Sequence, residues 1–318
     1  MDPSSTVPPA RDPARPSRGW VRAAGLLGVT LTTAVAQPSV LMAVPFLAMV
    51  AVFGFRGVGS ALLAVLAVLI VTTGMPGDGA WFIERAWAVM VAGFFVAVSL
   101  RRPGASFSSR ALLALAGAGG VAAAVLGLRQ GAWQTLDWTV RDRMTGGVET
   151  ALEAMRILQG GEALPPTLVT ALYEAVEAQT SVFPAMLGIA TMAALGVAWW
   201  VYRRVTTGDD QALGPIRDFR FNDHLVWLFL GGLLLLVSRG SEALARAGAN
   251  AVVFMGALYA VRGAGVLMFL SGGMSLFGYV LVGLGMIFVP PLVLTGAVVV
   301  GIGDTWLDVR TRMRDATT

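Results

Sequence analysis

An arginine inside an apolar stretch is the clearest sign of a site in this sequence. Arg262 lies in ALYAVRGAGVLMFL. A guanidinium at membrane depth costs at least about 2.5 kcal/mol on insertion scales, so it needs a carboxylate, a water-filled cavity or an anionic ligand beside it. We therefore predict that Arg262 binds a ligand. Alternatively, the stretch forms two short helices meeting at Gly263, and the arginine then lies at a helix boundary without special meaning.

Two carboxylates near the C-terminus form a second candidate site. Asp304 and Asp308 in GIGDTWLDVR are four residues apart, hence on one face if the helix continues through them. Because paired carboxylates can bind a cation or exchange a proton, we include both among the predicted ligand-binding residues. The alternative is a helix end that leaves the bilayer, with Trp306 at the interface and both carboxylates in water.

The only histidine, His224, lies in FRFNDHLVW. Adjacent helical positions do not face each other, so Asp223 and His224 make a poor acid–base couple. Asn222 or Asp223 is suited to cap a new helix, and Trp227 to the aromatic belt of a membrane. We interpret Asp223, His224 and Trp227 as interfacial, structural residues.

Motifs for catalysis and for cofactors are missing from the sequence. It has no cysteine and no lysine, since all 23 basic residues are arginines, and a single histidine provides no zinc site or proton relay. The arginines gather in short loops without a basic stripe, which is not the pattern of a nucleic-acid-binding protein. We expect a non-catalytic protein without cofactor, metal or nucleic-acid partner.

The composition identifies the class of protein. The chain is 56% apolar and only 13% charged, and its mean hydropathy is +0.72. Continuously apolar stretches near the roughly 20 residues that a helix needs to cross a bilayer predict an all-α, polytopic transmembrane bundle. The predicted spans are 23 to 37, 39 to 55, 57 to 74, 81 to 100, 110 to 128, 182 to 202, 224 to 238, 249 to 270 and 276 to 301.

Arginine counts in the short loops predict the orientation. If every span through residue 202 crosses, the arginines of the N-terminal tail and of loops 101–110 and 203–220 fall on one side, which the positive-inside rule makes cytoplasmic. Three further crossings would place the arginines after residue 309 outside, so one of the last candidates must be wrong. The short run 224 to 238 and the stretch broken by Pro290 are the weakest. We predict about eight to ten membrane-embedded segments and a cytoplasmic C-terminus.

One membrane domain, residues 20–314, is expected between a disordered tail at 1–19 and a short tail at 315–318. The first apolar run also resembles a signal peptide, although a first membrane anchor is favoured. Residues 129–181 are polar and net acidic. Their apolar residues at helical spacing predict two amphipathic helices, separated at Gly160, Gly161 and Pro165, on the outer side of the membrane.

The order of several features resembles a known family. SVFPAMLGIATMAALGVAWWVYRRV, FRFNDHLVW, ANAVVFMGALYAVRGAGVLMF and the Pro290 helix before GIGDTWLDVR together resemble the YybS-like bacterial multi-pass membrane proteins, over residues 20 to 314. Those proteins look distantly similar to the substrate-binding subunits of energy-coupling-factor vitamin transporters. The resemblance implies a helical bundle in the bacterial cytoplasmic membrane with a small-ligand cavity. The chain departs from the family pattern at His224, where members have proline, and at Arg262, where they have glutamine.

Two functions from different classes follow from these observations. The first is a protein that binds or helps translocate a small solute at a cavity near Arg262. The second is a scaffold or assembly subunit that docks other membrane proteins. A membrane enzyme comes third, because it rests only on His224, Asp304 and Asp308.

Overall fold

The computed structural model describes residues 79–207, 213–238, 240–272 and 275–315. Every regular element in these ranges is helical, which confirms the predicted fold class. The helices are α1 (Gly79–Arg101), α2 (Phe107–Leu128), α3 (Ala132–Leu158), α4 (Pro166–Ser181), α5 (Phe183–Thr207), α6 (Val226–Val237), α7 (Glu242–Leu270), α8 (Leu276–Phe288), α9 (Pro290–Leu307) and α10 (Val309–Asp315). The predicted spans before residue 78, the N-terminal tail and residues 316–318 lie outside the described residues.

Within the described ranges, four helices are long and apolar enough to cross a membrane, namely α2, α5, α7 and α9. The predicted break near Pro290 is present, and the predicted segment 224 to 238 contains a short helix. The chain is not helical at Val289, and Pro290 starts α9, because a proline lacks the backbone donor that would continue α8. Helix α6 has 12 residues, about 18 Å at roughly 1.5 Å per residue, which is less than the thickness of a bilayer core.

A first apolar core joins α1, α2 and α5. Phe95 lies at its centre, fully buried, with Trp199 packed edge-on at 5.8 Å between ring centroids. Small residues on α2, such as Ala111 and Ala114, let the helices approach closely. One polar contact crosses this core, since Trp87 Nε1 donates to Thr191 Oγ1 at 3.0 Å.

The polar segment forms the two predicted helices, α3 and α4. Gly160 and Gly161 both adopt positive φ between them, and Pro166 occupies the first turn of α4, as the prediction required. Val176 is buried where α4 packs against the bundle. The apolar residues at the far end of α3 remain exposed in the described residues, with Leu158 at 87%.

Helix α7 contacts other segments of the chain near both of its ends. At the hairpin end, Arg246 pairs with Asp137 of α3, and Asn250 Nδ2 donates to the Ser181 carbonyl at 2.9 Å. At the loop end, a Cβ built on Gly265 would lie 2.5 Å from the Ile216 carbonyl oxygen. Arg246 and Arg262 are about 24 Å apart along the axis of α7 at roughly 1.5 Å per residue, comparable to a bilayer core.

The contacts at the loop end also place the C-terminus. Ser108 Oγ at the start of α2 donates to the Arg220 carbonyl at 2.9 Å, and Arg310 NH1 donates to the Arg217 carbonyl at 2.9 Å. The loop 102–106, the loop 213–223 and α10 therefore share one end of the bundle. Asp304, near the end of α9, also contacts Arg262 of α7, so the pair α8–α9 starts and ends at the loop end.

Candidate functional site

Arg262 is buried in a closed ion-pair network. Its side chain is 2% exposed, its Nε donates to Asp304 Oδ2 at 3.0 Å and its NH1 donates to Asp223 Oδ1 at 2.5 Å. The guanidinium carbon lies 5.5 Å from the centroid of the Phe221 ring, a cation–π distance. Of the partners expected for a buried arginine, the structure thus supplies two carboxylates.

Asp304 joins two arginines. Its side chain is fully buried, and Oδ2 accepts a second charged hydrogen bond from Arg310 NH2 at 2.7 Å. Arg310 is 1% exposed and also donates from NH1 to the carbonyl oxygens of Arg217 and Phe219. We call Asp223, Arg262, Asp304 and Arg310 the ion network. Its two arginines and two aspartates balance in formal charge, which is the usual condition for burying ionised groups.

Glycines bring the two helices of the network together. A Cβ on Gly263 would lie 1.9 Å from the Ala297 carbonyl oxygen, and a Cβ on Gly301 would lie 2.1 Å from the Tyr259 carbonyl oxygen. Neither position has room for a side chain, so α7 and α9 touch through their backbones. Asp304 follows Gly301 by three residues on the same face of α9, which places it against α7 beside Arg262.

The end of α9 returns Arg310 to the network. Asp308 has φ 40° and ψ 50°, a left-handed conformation, and terminates α9 at Leu307. The chain turns there into α10, and Arg310 reaches back to Asp304. Because the helix does not continue, Asp304 and Asp308 do not share a helix face as the sequence pattern suggested.

Asp308 belongs to a separate, exposed ion pair. Its Oδ1 accepts from Arg220 NH2 at 2.7 Å, and its side chain is 47% exposed. A hydrogen bond from the Thr311 side chain, together with the charge of Arg220, holds the pKa of Asp308 below its ordinary value. This carboxylate is therefore ionised at neutral pH and anchors α10 to the loop 213–223.

The residues around His224 start a helix, as the sequence indicated. Asn222 Oδ1 accepts from the His224 backbone N–H at 3.0 Å and caps the 3₁₀ turn Asp223–Leu225 before α6. His224 and Trp227 are exposed on the described surface. Asp223 differs from them, because it is a direct partner of Arg262 as well as part of the turn.

Sequence reasoning found Arg262 and Asp304 separately and did not connect them. It did not predict that Arg310 pairs with Asp304, because Arg310 served only to predict the membrane orientation. It also did not predict that Asp223 pairs with Arg262. The pairs that form are 39 and 42 positions apart in the chain. The sequence did contain a signal, because a buried arginine requires carboxylates and the apolar C-terminal half of the chain holds few of them. The spacing of these acidic residues does not show which of them pairs with Arg262.

The arrangement can hold an anion more readily than a cation. Asp304 already faces two guanidinium groups, so a metal ion at this carboxylate would lie beside two positive charges. No group of three or more potential metal ligands occurs among the described residues. The site also lacks a nucleophile paired with a general base.

Comparison with known proteins supports the class of protein. No curated protein and no solved structure matches the sequence. A family model described as "Predicted membrane protein (DUF2232)" matches residues 24–305, which is most of the chain and includes Arg262 and Asp304. Because this match covers more than half of the chain, the chain belongs to the DUF2232 family of predicted membrane proteins.

Proposed function

We propose that this membrane protein is non-catalytic and binds or helps translocate a small solute at the loop end, beside Arg262. One observation carries the proposal. The Arg262 side chain is only 2% exposed, whereas its second carboxylate partner, Asp223, is 61% exposed. Ionisable groups inside membrane bundles are costly and are retained mainly at ligand or ion pathways. One of the two carboxylates paired with Arg262 therefore reaches the surface of the protein.

The helices next to the network support the same proposal. The pair α8–α9 is interrupted at Val289 and returns to the loop end, and interrupted helices often line binding sites at membrane depth. The resemblance to YybS-like proteins, and through them to substrate-binding transporter subunits, points in the same direction. The arginines at the loop end favour a cytoplasmic position for it, in the bacterial cytoplasmic membrane.

The experiment is a ligand search on the full-length protein purified with its native lipids. Co-purified metabolites are identified by mass spectrometry, and a metabolite library is screened by thermal shift. We expect a compound that raises the melting temperature of the wild type and of Arg246→Gln, but not of Arg262→Gln. The control removes a partly buried, paired arginine at the hairpin end. The absence of any ligand, or an equal shift in Arg262→Gln, would contradict the proposal.

A scaffold or assembly subunit is the second candidate. It is favoured by the closed, charge-balanced network and by α8, which among the described helices packs mainly against α9 and exposes Phe277, Ile287 and Phe288. Such a helix could contact another membrane protein as well as lipid. Crosslinking in native membranes at natural abundance should then recover a defined partner, and a Phe277→Ala variant should reduce its yield. Recovery of no stable partner argues against this function.

A further inference from the structure

We propose that Asp223 is a tethered anion that closes an anion-binding site at Arg262, so that the solute is a small carboxylate or phosphate. This inference rests on the proposed function and names its substrate class. The segment Arg217–Asp223, here called the lid segment, covers the ion network from the loop side. It would open when a solute anion replaces the Asp223 carboxylate on Arg262.

The two carboxylates on Arg262 differ in how they are held. Asp304 is fully buried within α9 and carries a second arginine, so its displacement would expose two unpaired guanidinium groups. Asp223 is 61% exposed, and within the described residues its side chain pairs with Arg262. It lies in the 3₁₀ turn Asp223–Leu225, at the end of an irregular loop. Asp223 is therefore the partner that a solute can exchange.

The lid segment is fastened by weak, separable contacts. The Arg217 and Phe219 carbonyls accept from Arg310, the Arg220 side chain reaches Asp308, and the Arg220 carbonyl accepts from Ser108. Phe221 is buried in an apolar cluster, and Phe219 packs against the same cluster while partly buried. The polar contacts are mostly single hydrogen bonds to backbone oxygens, each of which contributes modestly to stability. Opening the segment therefore leaves the helix contacts of the bundle in place.

Charge decides the class of ligand. With Asp223 moved away, Arg262 and Arg310 face Asp304 alone, and the remaining network carries one net positive charge. A guanidinium binds a carboxylate or a phosphate through charge-assisted hydrogen bonds, and such a ligand restores the balance. A neutral solute would leave the charge uncompensated, and a cation would add to it. The headgroup phosphate of an anionic lipid offers the same chemistry as a free phosphate.

The test compares Asp223→Asn with Asp218→Asn in full-length protein in nanodiscs. Both variants remove one negative charge from the lid segment. They differ in position, because Asp218 Oδ2 lies 3.9 Å from Arg217 Nε and Asp218 forms no ion pair with Arg262 among the described residues. The probes are inorganic phosphate and succinate, with neutral succinamide for comparison, at constant ionic strength. Affinity is measured by thermal shift and calorimetry, and hydrogen–deuterium exchange follows residues 217–225.

We expect Asp223→Asn to bind one of the anions about tenfold tighter than the wild type, because a tethered competitor acts at an effective concentration in the millimolar range. The lid segment should exchange faster in this variant, and Asp218→Asn should behave as the wild type. If added phosphatidylglycerol in the nanodiscs abolishes the tighter binding, the anion is a lipid headgroup, which still supports the proposal.

Three results would overturn it. Equal anion affinity in the wild type and both variants would remove the lid role of Asp223 while leaving solute binding intact. Equal gains in Asp223→Asn and Asp218→Asn would reduce the effect to surface charge. Binding of succinamide alone, or of neither anion to Asp223→Asn, would rule out the anionic class, and the ligand search described above then decides separately whether any solute binds.

Discussion

At the residue scale, the central group of the site is Asp304. A buried ion pair stabilises a protein little relative to apolar side chains, because desolvation offsets the Coulomb attraction. Removing one partner of a buried pair, in contrast, destabilises the protein strongly, because the remaining charged group is left buried without a partner or water. Asp304 serves two buried arginines at once, whereas Asp308 serves one arginine at the surface. The chain therefore provides a matched pair of aspartates four positions apart.

The first prediction concerns these two residues. Asp304→Asn should destabilise the folded protein by about 3 to 5 kcal/mol, since Arg310 and Arg262 both lose the charge of their shared carboxylate partner. Asp308→Asn should cost no more than about 1 kcal/mol, as for exposed pairs, and asparagine tolerates the left-handed conformation there. Unfolding of the purified variants in mixed micelles measures both. Equal losses would show that Asp304 is not the centre of the network.

At the element scale, the contact of α7 with α9 determines whether the network can form. Glycine at 263 and at 301 allows the two backbones to touch, and only this approach brings Asp304 within reach of Arg262. The interruption at Val289 matters for the same reason, because it separates α9 from α8 and lets α9 follow α7 alone. In a continuous helix from 276 to 307, the direction of residues 290–307 would be fixed by residues 276–288 instead of by packing against α7.

The second prediction tests this contact with alanine substitutions. Gly263→Ala and Gly301→Ala place a Cβ 1.9 and 2.1 Å from backbone oxygens, so α7 and α9 must separate, at a cost of about 1 to 3 kcal/mol or more. Gly256→Ala on α7 and Gly296→Ala on α9 meet nothing within 4 Å and should be neutral or slightly stabilising. Melting temperatures of the four variants check the expectation, which fails if both pairs behave alike.

At the scale of the whole molecule, the two ends of the bundle differ in chemistry. The loop end gathers Arg217, Arg220 and Arg310 with their aspartate partners, and the hairpin end holds α3 and α4 through Arg246. The broken pair α8–α9 starts and ends at the loop end, so we expect it to add membrane-embedded residues without moving the chain to the other side of the membrane. The C-terminus and the loop 102–106 should therefore lie on the same side of the membrane.

The third prediction uses the absence of cysteine in the chain. Single cysteines at Gly104, Glu162 and Arg312, all exposed positions, can be probed in intact cells with a thiol reagent that does not cross membranes. We expect Glu162→Cys to react, and Gly104→Cys and Arg312→Cys to react only after permeabilisation, because arginine-rich loops stay in the cytoplasm. Opposite labelling of positions 104 and 312 would disprove the non-crossing α8–α9 pair.

The sequence by itself determined the class and the main helices of this protein. Long apolar stretches, proline at 290 and the glycine-proline break between α3 and α4 act through local chemistry, namely hydrophobic length, a missing donor and turn preference. A cap at Asn222 or Asp223 was predicted for the same reason, and the structure has Asn222 in that position. A buried guanidinium also has a cost that depends on its surroundings alone, so Arg262 stood out without knowledge of its partners.

Only the tertiary structure decided which residues meet. Asp223, Asp304 and Arg310 reach Arg262 because two glycines let α7 and α9 touch, a left-handed residue turns the chain after Leu307, and the loop 213–223 folds back over α7. The pairs of Arg262 with Asp223 and Asp304 join residues 39 and 42 positions apart, and the Arg310–Asp304 pair depends on the direction in which the chain leaves α9. Periodicity and composition describe one segment at a time, so they could indicate a charged site but not that it is closed by an ion network.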